Sequence, residues 1–370
     1  GEESVLTGRR GNYLVVSSFE IEPGKASTWH IACDAGLSHV RLSALRERLM
    51  EHGNMDREIE RALRGADENL LRCVGSADGL QLTEHEEACV HHLANVLFNN
   101  MRGGFFPDNY GVPVDDLADF LRTRNREVAE RHARLIASLG PEIRSAALIE
   151  AARGTGDPDF ERLCYEYMPI YFSRRHGDPS RPWNRFSIRL KGPDGGRSLW
   201  YEGNWRDIFQ NWEALSMSFP GFLPNVVAKF VNASTVDGFN PYRITRDGID
   251  WEVVRPDDPW SYIGYWGDHQ IVYLLKFLEE TRRFHPGALE NLLEREIFCF
   301  ADVPYRLKPY ADILADPRST IVYDIDLASA IENRVKSSGT DGKLVRRRDG
   351  SILRVNLLEK LLIPALSKLS

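Results

Sequence analysis

The sequence predicts a mainly α protein in which antiparallel helical hairpins surround a central site. Three observations predict it. Amphipathic helix patterns follow one another along the 370 residues, and long loops of Gly, Pro, Trp and Asp separate them. Aromatics, carboxylates and amides crowd the stretch from Tyr201 to Gln270. Long helices joined by long polar loops do not close into a compact bundle; they collect their loops at one end, where function concentrates.

The first element is a β-hairpin signal. Tyr13, Val15, Phe19 and Ile21 alternate up to Pro23-Gly24, and Trp29, Ile31 and Cys33 alternate after it. Two strands alone are marginal in water, so they are expected to belong to a larger sheet. From Ser38, a candidate N-cap, Leu42, Leu45 and Leu49 fall on one helix face. Thr83-x-x-Glu86 reads as a capping box opening a helix whose buried stripe is Val90, Leu93, Ala94, Leu97 and Met101. Asp115 or Asp116 opens one long helix with Leu117, Phe120, Leu121, Val128, Leu135 and Ile136, closed by Gly140-Pro141. Further helices are expected over 161–167, 205–219, 223–231, 270–284, 287–300 and 327–335. An Asp349-Gly350 hairpin interrupts the series, and a last helix carries Leu358, Leu361, Leu362, Ala365 and Leu369.

Composition narrows the function. A net charge of −7 argues against a general nucleic-acid surface, which needs concentrated Lys and Arg. No apolar run approaches the ~18 residues of a membrane span. Five scattered cysteines, none at metal or redox spacing, read as reduced thiols in a cytoplasmic protein. The histidines around His85 and His91 lack metal-ligand spacing, so no metal is expected.

The crowded stretch points to a carbohydrate. Flat rings cover the apolar face of a pyranose, while carboxylates and amides count its hydroxyls; a core would leave such groups unpaired at ~1–3 kcal/mol each. The candidates are Asn204, Trp205, Arg206 and Asp207, then Asp250, Trp251 and Glu252, then Trp266, Asp268 and His269. Arg206 and Asp207 read as a sugar clamp or as an ion pair at a helix start. Asp268 reads as a substrate contact or an N-cap. Glu252 or Asp250 reads as the base of an inverting hydrolase or as a loop ion pair. Arg174 and His176 lie in a polar knot before Pro179, which is either a rigid loop or a rim for phosphate or an acidic sugar.

Three motifs carry a resemblance: Arg174-Arg175-His176-Gly177-Asp178-Pro179, Trp205-Arg206-Asp207-Ile208-Phe209-Gln210-Asn211 and Tyr265-Trp266-Gly267-Asp268-His269-Gln270. With them the chain resembles the cellobiose-phosphorylase-like branch of the six-hairpin glycosidases, and most nearly a set of large bacterial proteins. The resemblance implies an incomplete (α/α)6 toroid: residues 1–36 ending a β-sandwich, 37–80 a helical linker, 81–370 a partial barrel. It implies an inverting phosphorylase or hydrolase of oligosaccharides, with Arg206 and Asp207 gripping the glycosyl unit, Trp205 or Trp266 stacked on it, and Glu252 or Asp268 nearer the reacting centre. The family's general acid sits on a later Trp-Asn-Asp-type segment that this chain lacks, so the chain alone is expected to be inactive. No cofactor is expected. The implied partners are an oligosaccharide and inorganic phosphate, with a homodimer left open. Two alternatives stand beside it: a sugar-binding or scaffolding toroid without catalysis, and a polysaccharide lyase.

Overall fold

The residues described in the computed structural model are 16–31, 37–50, 55–171, 189–192, 195–240, 243–253, 255, 257 and 271–369, and they are mainly helical. The chain divides into two units, 1–64 and 65–370.

In the first unit the expected hairpin keeps its turn: Gly24 has φ +76°, and the Lys25 N–H donates to the Glu22 carbonyl at 3.0 Å. The Phe19 and Trp29 rings lie 5.5 Å apart. Residues 16–31 are exposed and form no strand, which corrects the expected β remnant as far as these residues reach. An unsupported pair of strands has too little to bury. Helix α1 (His39–Met50) starts after Ser38, whose hydroxyl accepts from the Arg41 N–H at 3.3 Å. Helix α2 (Met55–Ser76) follows and includes the boundary between Arg64 and Gly65.

In the second unit α3 (Glu86–Gly103) buries Asn100 and Gly103, while Val90 and Met101 of the expected stripe are exposed. Gly103 allows a close approach: a Cβ there would stand 2.9 Å from Asn211, and its carbonyl accepts from the Trp212 indole at 2.9 Å. The capping box is not made; the Thr83 hydroxyl accepts from the His85 N–H instead.

The long helix expected from Asp115 is three helices: α4 (Val114–Arg124), α5 (Arg126–Arg131) and α6 (Ala133–Ser138). Asn125 makes the break. It is extended (φ −151°, ψ 102°), and its side chain caps the Val128 N–H at 3.2 Å. Strands β1 (Gly111–Pro113) and β2 (Glu142–Arg144) pair around these helices. Helices α7 (Ser145–Gly154) and α8 (Pro158–Glu166) complete a local core of Leu117, Phe120, Leu121, Leu148, Phe160 and Leu163. Asp157 caps α8, accepting from the Asp159 and Phe160 N–H groups at 3.0 and 3.3 Å. Asp157→Ala is expected to cost ~1 kcal/mol, read as a lower urea midpoint. Burial raises the Asp157 carboxyl, but hydrogen bonds from His132 and Arg131 bring it below the ordinary range. Its stabilising share is therefore present above the unfolded carboxyl pKa and lost as pH falls.

Strand β3 (Glu202–Asn204) leads into α9 (Trp205–Ser218), which buries Ile208, Phe209, Trp212 and Leu215. Helix α10 (Leu223–Asn232) is the central helix, and among its residues only Pro224 is not buried. Strands β4 (Arg243–Thr245) and β5 (Gly248–Asp250) form a hairpin that joins β3 in one antiparallel sheet, ordered β3-β4-β5. Helix α11 (Ile271–Phe284) packs on α9 and α10. The helix expected over 287–300 is only α12 (Ala288–Leu293). Beyond it β6 (Phe298–Cys299) becomes extended, pairing with β9 (Arg354–Val355) and donating the Cys299 N–H to the Asn232 side chain.

Strands β7 (Tyr305–Leu307) and β8 (Ile321–Tyr323) enclose α13 (Tyr310–Ala315), and α14 (Ile325–Ser338) runs from its Asp324 cap to Gly339. The Asp349-Gly350 reversal forms as expected, with Arg346 paired to Ile352. Among the described side chains of α15 (Leu357–Leu369), Leu357 and Lys360 are buried while Leu358 and Leu362 are exposed, a face offset from the one expected.

Candidate functional site

The β3-β4-β5 sheet brings together two of the sequence motifs. Its register sets Asn204 opposite Arg243 and Arg243 opposite Asp250, so the three stand abreast on one face. Ile244 and Ile249 alternate to the other face and are buried. Arg243 organises the polar face. Its guanidinium lies 2.6 Å from Glu252, 3.5 Å from Asp250 and 3.6 Å from Glu202. The Tyr305 hydroxyl donates to the Glu252 backbone carbonyl at 2.8 Å, which fixes that residue from the other side.

Next along the chain, Trp251 is half-buried and packs against the main apolar core. The Lys343 ammonium lies 4.9 Å from its ring centre and donates to the Ile249 carbonyl at 2.9 Å and to Asp250 at 3.4 Å. The result is an aromatic edge beside three carboxylates and two cations, a set of fixed donors and acceptors suited to hydroxyls.

Other candidates fall elsewhere. Trp205 is 2% exposed and packs against Phe209 and Phe230, so it is core and offers no open stacking face. Asp207 stands in the first turn of α9, where a carboxylate favours the helix dipole, and its carbonyl accepts from the Asn211 amide. The Arg206 side chain, Arg174, His176, Trp266, Asp268 and His269 lie outside the described residues. Among the described residues no group of three or more His, Cys, Asp or Glu could hold a metal. No helix among them is long and apolar enough to cross a membrane.

Sequence reading missed Glu202, Arg243, Tyr305 and Lys343. For Arg243 a signal existed: Ile244 alternates with Arg243 and Thr245, and Asp247-Gly248 marks the return.

A second polar centre, also missed, is buried. Arg124 donates to Asp341 at 3.1 Å and pairs with Glu166 at 2.7 Å. Arg162 reaches Glu166 at 3.0 Å and also pairs with Asp341, and Asn125 donates to Asp341 at 3.2 Å. The four charged side chains are 0–3% exposed. Helix α10 meets them with a stripe at i, i+4, i+7: Asn225 donates to the Tyr167 carbonyl, Lys229 to the Arg246 carbonyl, and Asn232 to Glu166. Burial raises the Glu166 carboxyl, but Arg124 and Arg162 outweigh it and hold it at about 2. Burial, then repulsion by Arg124, lowers the Lys229 ammonium to about 7. A cavity of about 10 Å³ lies among Arg124, Glu166, Lys229, Asn232, Gly248 and Thr340.

Arg124, Asn125, Arg162 and Glu166 all lie in one stretch with its own apolar core. Residues 106–169 match the family model for glycoside hydrolase family 149 insertion domain 1. This supports a glycoside hydrolase family for the chain. The matched segment, Phe106 to Pro169, contains α4 to α8 and is called the insertion-domain segment below for that match. No curated protein matches the chain.

Proposed function

We propose that the chain belongs to a carbohydrate-active enzyme, a glycoside hydrolase or phosphorylase acting on an oligosaccharide in the cytoplasm. In this reading its helices are part of an (α/α)6 toroid, and the polar face of the β3-β4-β5 sheet receives a glycosyl unit. The observation that carries the reading is the row of Asn204, Arg243 and Asp250, extended by Glu202, Trp251 and Glu252. Separate strands deliver these groups, and the ion pairs hold them in place before any ligand arrives, which is what recognition by preset hydrogen bonds needs. The family match to the insertion-domain segment supports the same class.

Glu252, ion-paired with Arg243, presents acceptor oxygens. That suits a base activating water, or an acceptor for sugar hydroxyls, and not the proton donor. By the resemblance, Asp207 and Arg206 are assigned to grip the glycosyl unit, Trp266 to stack on it and Asp268 to act near the reacting centre; the last two lie outside the described residues.

The test is calorimetric titration with cellobiose, laminaribiose, gentiobiose and maltose, with and without inorganic phosphate, alongside assays of sugar and sugar-phosphate release. Glu252→Gln is expected to weaken binding by ~1.5–3 kcal/mol, a tenfold or larger rise in Kd. Unchanged affinity in Glu252→Gln and in Trp251→Ala would remove this face from the site.

A further inference from the structure

We propose that the insertion-domain segment is a positioning element of the sugar site: Arg124, Asn125 and Arg162 hold Asp341, and Asp341 fixes the turn that sets Lys343 against Asp250 and Trp251. The functional half of this inference rests on the reading of the sheet face given above; the mechanical half does not.

The path is short. Thr340–Lys343 is a single 3-10 turn, and Asp341, 0% exposed, is its buried anchor. All three of its side-chain donors come from the insertion-domain segment. The turn has no slack on either side. Gly339 has φ +100°, and a Cβ there would stand 2.6 Å from the Arg124 carbonyl and 2.7 Å from that of Thr123. A Cβ on Gly342 would stand 2.5 Å from the Val335 nitrogen. The Thr340 hydroxyl donates to the Asp247 carbonyl at 2.6 Å, tying the turn to the β4-β5 loop. The Asp302 N–H donates to the Lys343 carbonyl at 2.8 Å, and the Arg334 guanidinium to the Gly342 carbonyl at 2.9 Å.

A turn seated this closely moves as a body. Lys343 is two residues from Asp341, and its ammonium is what braces the Ile249 carbonyl, Asp250 and the Trp251 ring. Loosening Asp341 therefore displaces one wall of the sheet face without touching a residue of that wall. Arg124, Asn125 and Arg162 act through Asp341 and Lys343, so they are positioning residues.

The test reads Trp251 directly. Its emission is isolated by subtracting the spectrum of Trp251→Phe in each background, with no sugar present. A cation near an indole shifts its emission, so Lys343→Met is the reference change. Asn125→Ala is expected to shift the Trp251 emission in the same direction, and the combined variant no further than Lys343→Met alone. Arg162→Lys, which keeps the charge but not the fork, is the second variant if Asn125→Ala does not fold. Leu148→Ala weakens the same segment's apolar core and is expected to leave the emission in place. The proposal fails if Lys343→Met leaves the emission unmoved. It also fails if Asn125→Ala and Arg162→Lys leave it unmoved, or if Leu148→Ala moves it as much as they do. Calorimetry with the four disaccharides then separates the two halves. Asn125→Ala is expected to raise Kd about 3- to 10-fold, and a wild type that binds none of them overturns the sugar reading while the emission result still decides the coupling.

Discussion

Asp341→Ala is expected to be among the most damaging single changes in this protein, lowering stability by ~3–5 kcal/mol. The carboxylate accepts from Arg124, Asn125 and Arg162, and removing it leaves two buried guanidiniums to share Glu166, with Asp159 standing 3.8 Å from Arg162. The loss is expected as a lower urea midpoint. Asp341→Asn, which keeps the shape and one acceptor oxygen, is expected to lose less. A drop below ~1 kcal/mol in Asp341→Ala would show that the two arginines find other partners. The network as a whole is a different matter from any one member. Desolvation of four buried charges offsets most of their attraction, so its presence is a statement about which arrangement is adopted more than about net stability.

The second large effect is a pH dependence. Lys229 has an ordinary pKa of 10.5 and is lowered to about 7 by burial and by Arg124, against the pull of Glu166 and Asp247. Between pH 7 and 10.5 the unfolded chain binds this proton and the folded chain does not. Stability from this group therefore rises with pH across that window and is least below pH 7. A shift of this size corresponds to a span on the order of 5 kcal/mol. Lys229→Met removes the titration, so its stability relative to wild type is expected to be greatest below pH 7 and to fall toward pH 10. Urea midpoints at pH 6, 8 and 10 measure it; parallel curves for the two proteins would exclude the assignment. Lys360, buried against Phe300 and likewise lowered to about 7, adds a slope of the same sign that is common to both proteins.

The helices were legible because a 3.6-residue period survives in a single sequence. Helices α9, α10, α11 and α14 lie close to where the apolar positions put them. What misled was a local side chain. Asn125 looks like one polar residue on a helix, yet it breaks the segment by capping Val128 and by bonding to Asp341, a residue 216 positions away. The candidate site was half legible. The motifs around Asn204 and Asp250 were recognisable by composition, but that they lie side by side depends on Arg243, whose strand was overlooked.

The buried network was illegible for a stronger reason. Charges are ordinarily solvated, so residue type alone does not mark Arg124, Arg162, Glu166 and Lys229 as buried. Their placement carries a signal: Arg124 continues the stripe of Leu117, Phe120 and Leu121, and Asn225, Lys229 and Asn232 repeat at helical spacing within an otherwise apolar helix. A polar stripe on a helix with no exposed face indicates a buried partner of matching polarity.

The division of that network between two stretches of chain constrains exchange of parts. Phe106 to Pro169 supplies both guanidiniums, Glu166 and, 3.8 Å from Arg162, Asp159; Asp341 and the amide of Asn232 belong to the rest. A chimaera that grafts this stretch onto a foreign host would leave both guanidiniums without the Asp341 carboxylate they share. Any such graft has to carry Asp341 and its flanking glycines along, and natural replacement of the stretch has to alter both sides together.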